Sequence, residues 1–224
     1  MIKLVAFDWN GTLLSDTAIT LRSENVALKA VAQKPITLLQ FQKAFDIPIT
    51  KYWKNSGMTE SFIKKHLQTI EDVFHSIYEK NVNAARTRSG VKGVLKFLHE
   101  AKILTVIYSN HNIPNIHRQL VRLNILNRFD KILANEKAGE APQVFARHKE
   151  HLLKEYVKQN RIKPHEVISV GDTEEEIQIG KTYGYHTVAI TGGYNTKARL
   201  ANHHPDFLIH NLAELKRIIQ KLNK

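Results

Sequence analysis

Two aspartates, a hydroxyl and a lysine stand out in this 224-residue sequence, each at the edge of a short apolar run or a helical pattern. Asp8 closes the run 2–7 and leads into Asn10, Gly11 and Thr12. Ser109 and Asn110 close 103–108, Asp172 follows Gly171 beyond 167–170, and Lys149 opens a stretch of helical period. Two acids, a hydroxyl and an ammonium at adjacent strand ends would form a site where Mg²⁺ and protein cations hold a phosphate. An aspartate in such a site can also serve as a covalent nucleophile. Gly11 lets the backbone approach a ligand closely, and N–H groups there and after Ser109 can point at phosphate oxygens.

That chemistry requires a fold that gathers the four positions. The runs 2–7, 103–108, 129–133, 167–170 and 187–190 are short, apolar and rich in strand formers, and segments of helical period lie between them. The alternation predicts a parallel sheet with crossover helices, whose ligands bind beyond the carboxyl ends of the strands. Helices are expected at 91–102, 149–159, 174–183 and 212–222, with a short strand at 207–209. Residues 15–86 read differently, as amphipathic helices at 18–33, 38–45 and 60–83 without a strand, punctuated by Pro35, Pro48 and Ser56-Gly57. The expected fold is therefore α/β. A Rossmann-like parallel-sheet core, residues 1–14 and 87–224, carries an all-helical cap, residues 15–86, inserted after the first strand. Tyr52 and Trp53 would line the cap's face toward the site or fill the cap's own core.

Composition narrows the function classes. With 42% hydrophobic and 24% charged residues the chain is an ordinary globular one, not disordered, fibrous or membrane-embedded. The absence of cysteine excludes disulfides, thiolate metal sites and cysteine nucleophiles. The 33 Lys and Arg against 21 Asp and Glu leave +12, which favours anionic partners. Because the excess is spread along the chain, no nucleic-acid partner is expected. The apolar start is too short for a signal peptide or a membrane span, so a cytoplasmic protein without a membrane partner is expected. The 12 histidines lack ligand spacing on a clear element. Arg147 and His148 read as surface neighbours of Lys149.

In their order and spacing these motifs resemble the haloacid dehalogenase superfamily, specifically its phosphoglycolate-phosphatase-like members with a helical cap. The family's Asp-x-Asp-Gly-Thr appears as Asp8-Trp9-Asn10-Gly11-Thr12, its strand-closing Ser or Thr as Ser109, its Lys as Lys149, and its Gly-Asp-x-x-x-Asp as Gly171-Asp172-Thr173-Glu174-Glu175-Glu176. The resemblance implies a phosphatase acting on a small phosphorylated metabolite. Asp8 would form an aspartyl-phosphate, and Mg²⁺ would be held by Asp8, Asp172 and the backbone carbonyl of Asn10. Gly11, Thr12, Ser109, Asn110 and Lys149 would contact the phosphoryl group.

The sequence departs from the family pattern twice. Asn10 replaces the aspartate that passes a proton to the leaving group, which removes a contribution of about 10²–10⁴-fold unless another group supplies it. This leaves open a slower or specialised phosphatase, a phosphonoacetaldehyde-hydrolase-like enzyme using Lys51, Lys54, Lys64 or Lys65 as a Schiff base, or a binding or regulatory protein with weakened catalysis. Glu176 replaces the last aspartate, and it either reaches the metal's water shell or completes a capping box with Thr173. Glu174 and Glu175 read as first-turn acids that complement a helix dipole.

Overall fold

The computed structural model describes residues 1–136 and 149–224, so Arg147 and His148 lie outside the described residues. The chain runs β1 (Leu4–Phe7), β2 (Leu14–Ser15), α1 (Thr17–Ala30), α2 (Leu38–Ala44), α3 (Ile49–Asn55), α4 (Glu60–Asn81), β3 (Arg86–Thr87), α5 (Val91–Glu100) and β4 (Leu104–Asn112). It continues through α6 (Ile113–Leu123), β5 (Lys131–Asn135), α7 (Lys149–Gln159), β6 (Val167–Gly171), α8 (Glu174–Tyr183), β7 (His186–Ile190), α9 (Lys197–Asn202), β8 (Phe207–Ile209) and α10 (Leu215–Leu222).

Six strands form one parallel sheet in the order β5-β4-β1-β6-β7-β8. The chain first builds outward from β1 through β4 and β5, then crosses to the other side of β1 for the remaining strands. The reversal opens a crevice beside the end of β1, the place where open α/β sheets bind ligands. Alternation within β1 shows how the sheet is buried on both faces. Val5 and Phe7 pack with α5, α6 and α10, whereas Leu4 and Ala6 pack with α7 and α8.

Two details differ from the sequence expectation. Strand β5 starts at Lys131 rather than 129, and the Asp130 side chain instead accepts a hydrogen bond from Thr105 N at 2.7 Å. Strand β4 runs on past Tyr108 to Asn112 with a register shift against β5, which extends it directly into the start of α6.

Helices α1–α4 lie between β2 and β3, an antiparallel ribbon pairing Leu14 with Thr87 and Ser15 with Arg86. Each ribbon strand is two residues long, too short to leave a period-2 signal. Helix α3 was likewise not expected; it sits between Pro48 and Ser56-Gly57, which were read as punctuation. The helices share an apolar cluster of Phe41, Phe45, Tyr52, Trp53, Ile63 and Ile70. Tyr52 and Trp53 fill this cluster. Tyr194, from the loop after β7, enters it with ring centroids 5.5 Å from Phe41 and 4.8 Å from Phe45. Gln42 Nε2 donates to Gly193 O at 2.7 Å and Asn195 Nδ2 to Phe45 O at 3.2 Å, so the helical layer is latched onto the loops at the carboxyl edge of the sheet.

Glu24 sits in this layer against Tyr52 and Trp53, whose Nε1 donates to it at 3.3 Å. Burial raises its carboxyl to about 7. The unfolded chain keeps the ordinary glutamate value, so the folded state binds the extra proton between roughly pH 4.5 and 7 and loses stability as pH rises through that window. The loss is on the order of 3 kcal/mol, from about 1.4 kcal/mol per pH unit. In Glu24→Gln the fall in unfolding free energy between pH 4.5 and 7.5, read by urea denaturation, should shrink by about that amount; an unchanged pH profile would rule out Glu24 as its source.

Candidate active site

Asp8 is set at the crevice by the sheet itself, since its backbone N–H donates to Val170 O at 2.9 Å and continues the β1–β6 pairing. The chain then turns tightly, with Leu13 N and Leu14 N both bonded to Trp9 O at 3.0 and 2.9 Å. Trp9 anchors the turn from below: its ring is fully buried and Nε1 donates to Gln119 Oε1 on α6 at 2.6 Å. At the top, Gly11 takes a positive φ of 73°, and a side chain there would collide with Asp172 at 2.3 Å. Glycine is required on both counts.

Asp172 follows β6 and is fully buried. It accepts from Thr12 Oγ1 at 2.5 Å and from Tyr194 N at 2.6 Å. Asp16, at the start of α1, closes the turn: its Oδ1 accepts from Gly11 N at 2.8 Å, and its Oδ2 accepts from Asn10 Nδ2 at 2.6 Å, Tyr78 OH at 2.7 Å and Tyr194 OH at 3.0 Å. Gly11 and Thr12 thus take part in a network around the two acids. Gly11 N donates to Asp16 and Thr12 Oγ1 to Asp172, so both residues also hold the acids in place. Asn10 lines the cavity, but its amide is tied to Asp16 and to Tyr78 OH at 2.7 Å.

Lys149, the first residue of α7, is buried and lies among carboxylates. Its Nζ is 3.0 Å from Asp8 Oδ1, 3.0 Å from Glu175 Oε2 and in direct contact with Glu176 Oε1. Burial opposes its charge, yet the carboxylates of Asp8, Glu175 and Glu176 together outweigh that cost and keep the ammonium charged beyond the usual lysine range. Glu176 serves two partners at once. Its Oε2 accepts from Thr173 N and Oγ1, completing a capping box, while Oε1 meets Lys149. Glu175 is a site residue rather than a simple dipole acid, since Asn110 Nδ2 donates to it at 2.9 Å beside Lys149. Glu174 points outward to Arg199 at 2.8 Å and His203 at 2.9 Å.

These groups face one cavity of about 140 Å³, floored by Asp8, Ser109, Asn110, Lys149 and Glu175. Its roof is the helical layer, through Phe45, Ile47, Ile49, Phe74 and Tyr78. The structure brings Asp8, Asn10, Ser109, Asn110 and Lys149 into the wall and holds Asp172 behind it. It does not bring in Lys51, Lys54, Lys64 or Lys65. Those lysines are exposed, with Lys51 paired to Asp46 at 2.6 Å and Lys54 to Glu60 at 2.9 Å, whereas a Schiff-base lysine needs desolvation to lower its pKa.

Asp16, Arg88 and Tyr194 were not singled out by sequence reasoning, and Glu175 was read only as a helix-dipole acid. Arg88 bridges Gly11 O at 2.6 Å and Thr191 O at 2.5 Å across the ribbon. Only Asp16 had a local signal, as an acid close behind the first motif. The other three act across long sequence separations.

The donor chemistry fits a divalent cation. Asp8 and Asp172 are hard oxygen donors in a site where Asp8, Glu175 and Glu176 meet one ammonium and Asp172 is buried nearby. Burial raises both carboxyls, Asp8 well above the ordinary range and Asp172 to about 7, with neighbouring carboxylates adding to the rise. A cation would restore their charge. Among the described residues no group of three or more His, Asp or Glu side chains is placed to hold a metal.

A sequence model of the haloacid dehalogenase-like hydrolases matches residues 5–190. The chain is 25% identical to a phosphoglycolate phosphatase of Mannheimia succiniciproducens, covering 97% of this chain and 98% of that one. It is 26% identical to a phosphoglycolate phosphatase of Vibrio vulnificus, covering 97% and 96%. Among solved structures, a haloacid dehalogenase-like hydrolase from Streptococcus pneumoniae superposes with a TM-score of 0.80 at 20% identity, covering 98% of this chain and 99% of that one. A chain from Clostridium acetobutylicum described as a predicted phosphatase gives 0.81 at 16% identity, covering 99% of both. At those identities the superpositions speak for the fold.

Removing the ammonium tests the cluster. Lys149→Met leaves Asp8, Glu175 and Glu176 buried without their shared cation and should cost about 3–5 kcal/mol. Urea unfolding at pH 7.5 without divalent cations reads this directly, and an unchanged midpoint would mean the carboxylates are compensated elsewhere.

Proposed function

We propose, from the premise that the chain belongs to the haloacid dehalogenase-like hydrolases and is a phosphatase of that family, that it hydrolyses a small phosphomonoester through Asp8. The observation that carries this reading is the convergence of Asp8, Ser109 and Lys149 on one roofed cavity, with Asp172 locked directly behind Asp8. The relatives named phosphoglycolate phosphatase support a small phosphorylated substrate.

In this reading an Asp8 carboxylate oxygen attacks phosphorus and the ester oxygen leaves as the alcohol. Water then attacks the resulting aspartyl-phosphate, freeing inorganic phosphate and Asp8. Lys149 and Ser109 hold phosphoryl oxygens in line for attack, so most of the rate comes from positioning and charge neutralisation. Mg²⁺ bound by Asp8, Asp172 and the Asn10 carbonyl would neutralise charge on the phosphoryl group as it transfers. Residues 15–86 act as the cap and residues 1–14 with 87–224 as the core. The cap excludes water from the reacting centre while shut and admits substrate when it parts.

Asn10 supplies no proton. Its amide instead ties the nucleophile loop to Asp16 and to Tyr78 of the cap. Proton transfer then falls to water or substrate, and a slower turnover follows.

Purified protein should release phosphate from p-nitrophenyl phosphate or a phosphometabolite panel in the presence of Mg²⁺, and both chelator and Asp8→Asn should abolish it. No release from any panel member would favour a binding or regulatory role. Asn10→Asp places a carboxylate beside Asp16, a pair that retains a proton, and should raise kcat by up to about 10²–10⁴-fold. An unchanged or lower kcat would mean that another group already supplies the proton or that Asn10 is itself required in the loop.

A further inference from the structure

The roof of the cavity has a chemical character that the catalytic floor does not need. Phe45, Ile47, Ile49 and Phe74 present apolar surface opposite Asp8, and the Phe74 ring stacks on Tyr78 at 5.7 Å with an interplanar angle of 10°. We propose, resting on the phosphatase reading above, that this wall selects a phosphomonoester of a small, uncharged, apolar or aromatic alcohol, in preference to one whose alcohol bears a carboxylate.

Charge supports the assignment. The described lining carries Asp8, Glu175 and Glu176 against Lys149 alone as a permanent cation, and Lys149 already meets all three carboxylates. A carboxylate in the leaving group would have to give up water against Phe45, Ile47, Ile49 and Phe74, a cost that an uncharged alcohol does not bear. His75 also borders the cavity, but its Nε2 is 3.3 Å from Glu71, and the hydrogen bond to Glu71 is what raises its pKa, so its charge is compensated locally. Arg118 and Glu79, which face the neighbouring His111, pair with each other at 2.6 Å.

His111 offers the cavity a neutral contact. Its Nε2 is enclosed without a hydrogen-bond partner among the described residues, and burial, with His75 and Arg118 adding to it, lowers its pKa to about 4. An uncharged imidazole suits a hydrogen bond to an alcohol or ester oxygen better than an ion pair with a carboxylate. Size agrees. About 140 Å³ has to accommodate the phosphoryl group as well as the alcohol, so the alcohol must be small.

The experiment compares kcat/KM for benzyl phosphate and 2-phosphoglycolate under the same Mg²⁺ concentration. Benzyl phosphate should be favoured about tenfold or more, the scale on which apolar pockets discriminate. Equal or higher kcat/KM for 2-phosphoglycolate overturns the proposal while leaving the phosphatase reading intact. Release of phosphate from neither ester fails the phosphatase reading and the proposal with it. Ile49→Arg, at the cavity wall and away from the reacting atoms, should shift the ratio at least about tenfold toward 2-phosphoglycolate. A ratio unmoved by this variant also overturns the proposal, because the wall would then not be setting specificity.

Discussion

The structure depends on how three buried carboxylates share one ammonium while a fourth, Asp172, is held by hydrogen bonds. Asp8, Asp172, Glu175 and Glu176 are nearly or fully excluded from water, and Lys149 is the cation that three of them contact. Burying that much like charge is costly unless each oxygen finds a donor or a cation. Much of the local architecture serves that requirement. Thr12 and the Tyr194 amide restrain Asp172, Thr173 caps Glu176, and Asn110 positions Glu175. The carboxylate excess that remains is what gives a divalent cation a place in the proposed chemistry.

Asp16 carries the same logic from the sheet to the helical layer. It accepts from the turn at Gly11, from Asn10, and from tyrosines contributed by α4 and by the loop after β7. Tyr194 joins three parts of the molecule: its amide holds Asp172, its hydroxyl reaches Asp16 and Thr20, and its ring sits among the aromatic residues of the helical layer. Any movement of the roof away from the sheet must therefore break or carry along contacts made to the acids. Asn10 fits this arrangement as an uncharged donor, since a carboxylate there would face Asp16 directly. The substitution that removes a proton donor thus also satisfies a buried acid.

Much of this was readable in advance. The buried strands leave continuous apolar runs, and long helices such as α4, α7 and α8 leave periodic patterns. The chemistry-bearing residues fall at strand ends because a parallel sheet gathers its carboxyl ends along one edge. The β2–β3 ribbon was not readable, because strands of two residues are shorter than the period that would announce them, and α3 was missed between Pro48 and Ser56-Gly57. Gly11 and Thr12 were recognised as site residues, but the direction of their donors was not, since a motif records which residue types are present and not which partner each hydrogen bond selects.

The sequence by itself determined the sheet, the helical insert, and the identity of the acids, hydroxyl and lysine at the crevice, because each is written in local runs and motifs. Tertiary structure alone decided that Glu175 turns inward to Lys149 while Glu174 turns outward to Arg199, that Asp16 and Tyr194 lock the nucleophile loop, and that an apolar roof faces Asp8. Those outcomes depend on electrostatics and packing between residues as much as 178 positions apart. Charge balance in a buried site is a property of all its members together, and no local pattern in the chain encodes it.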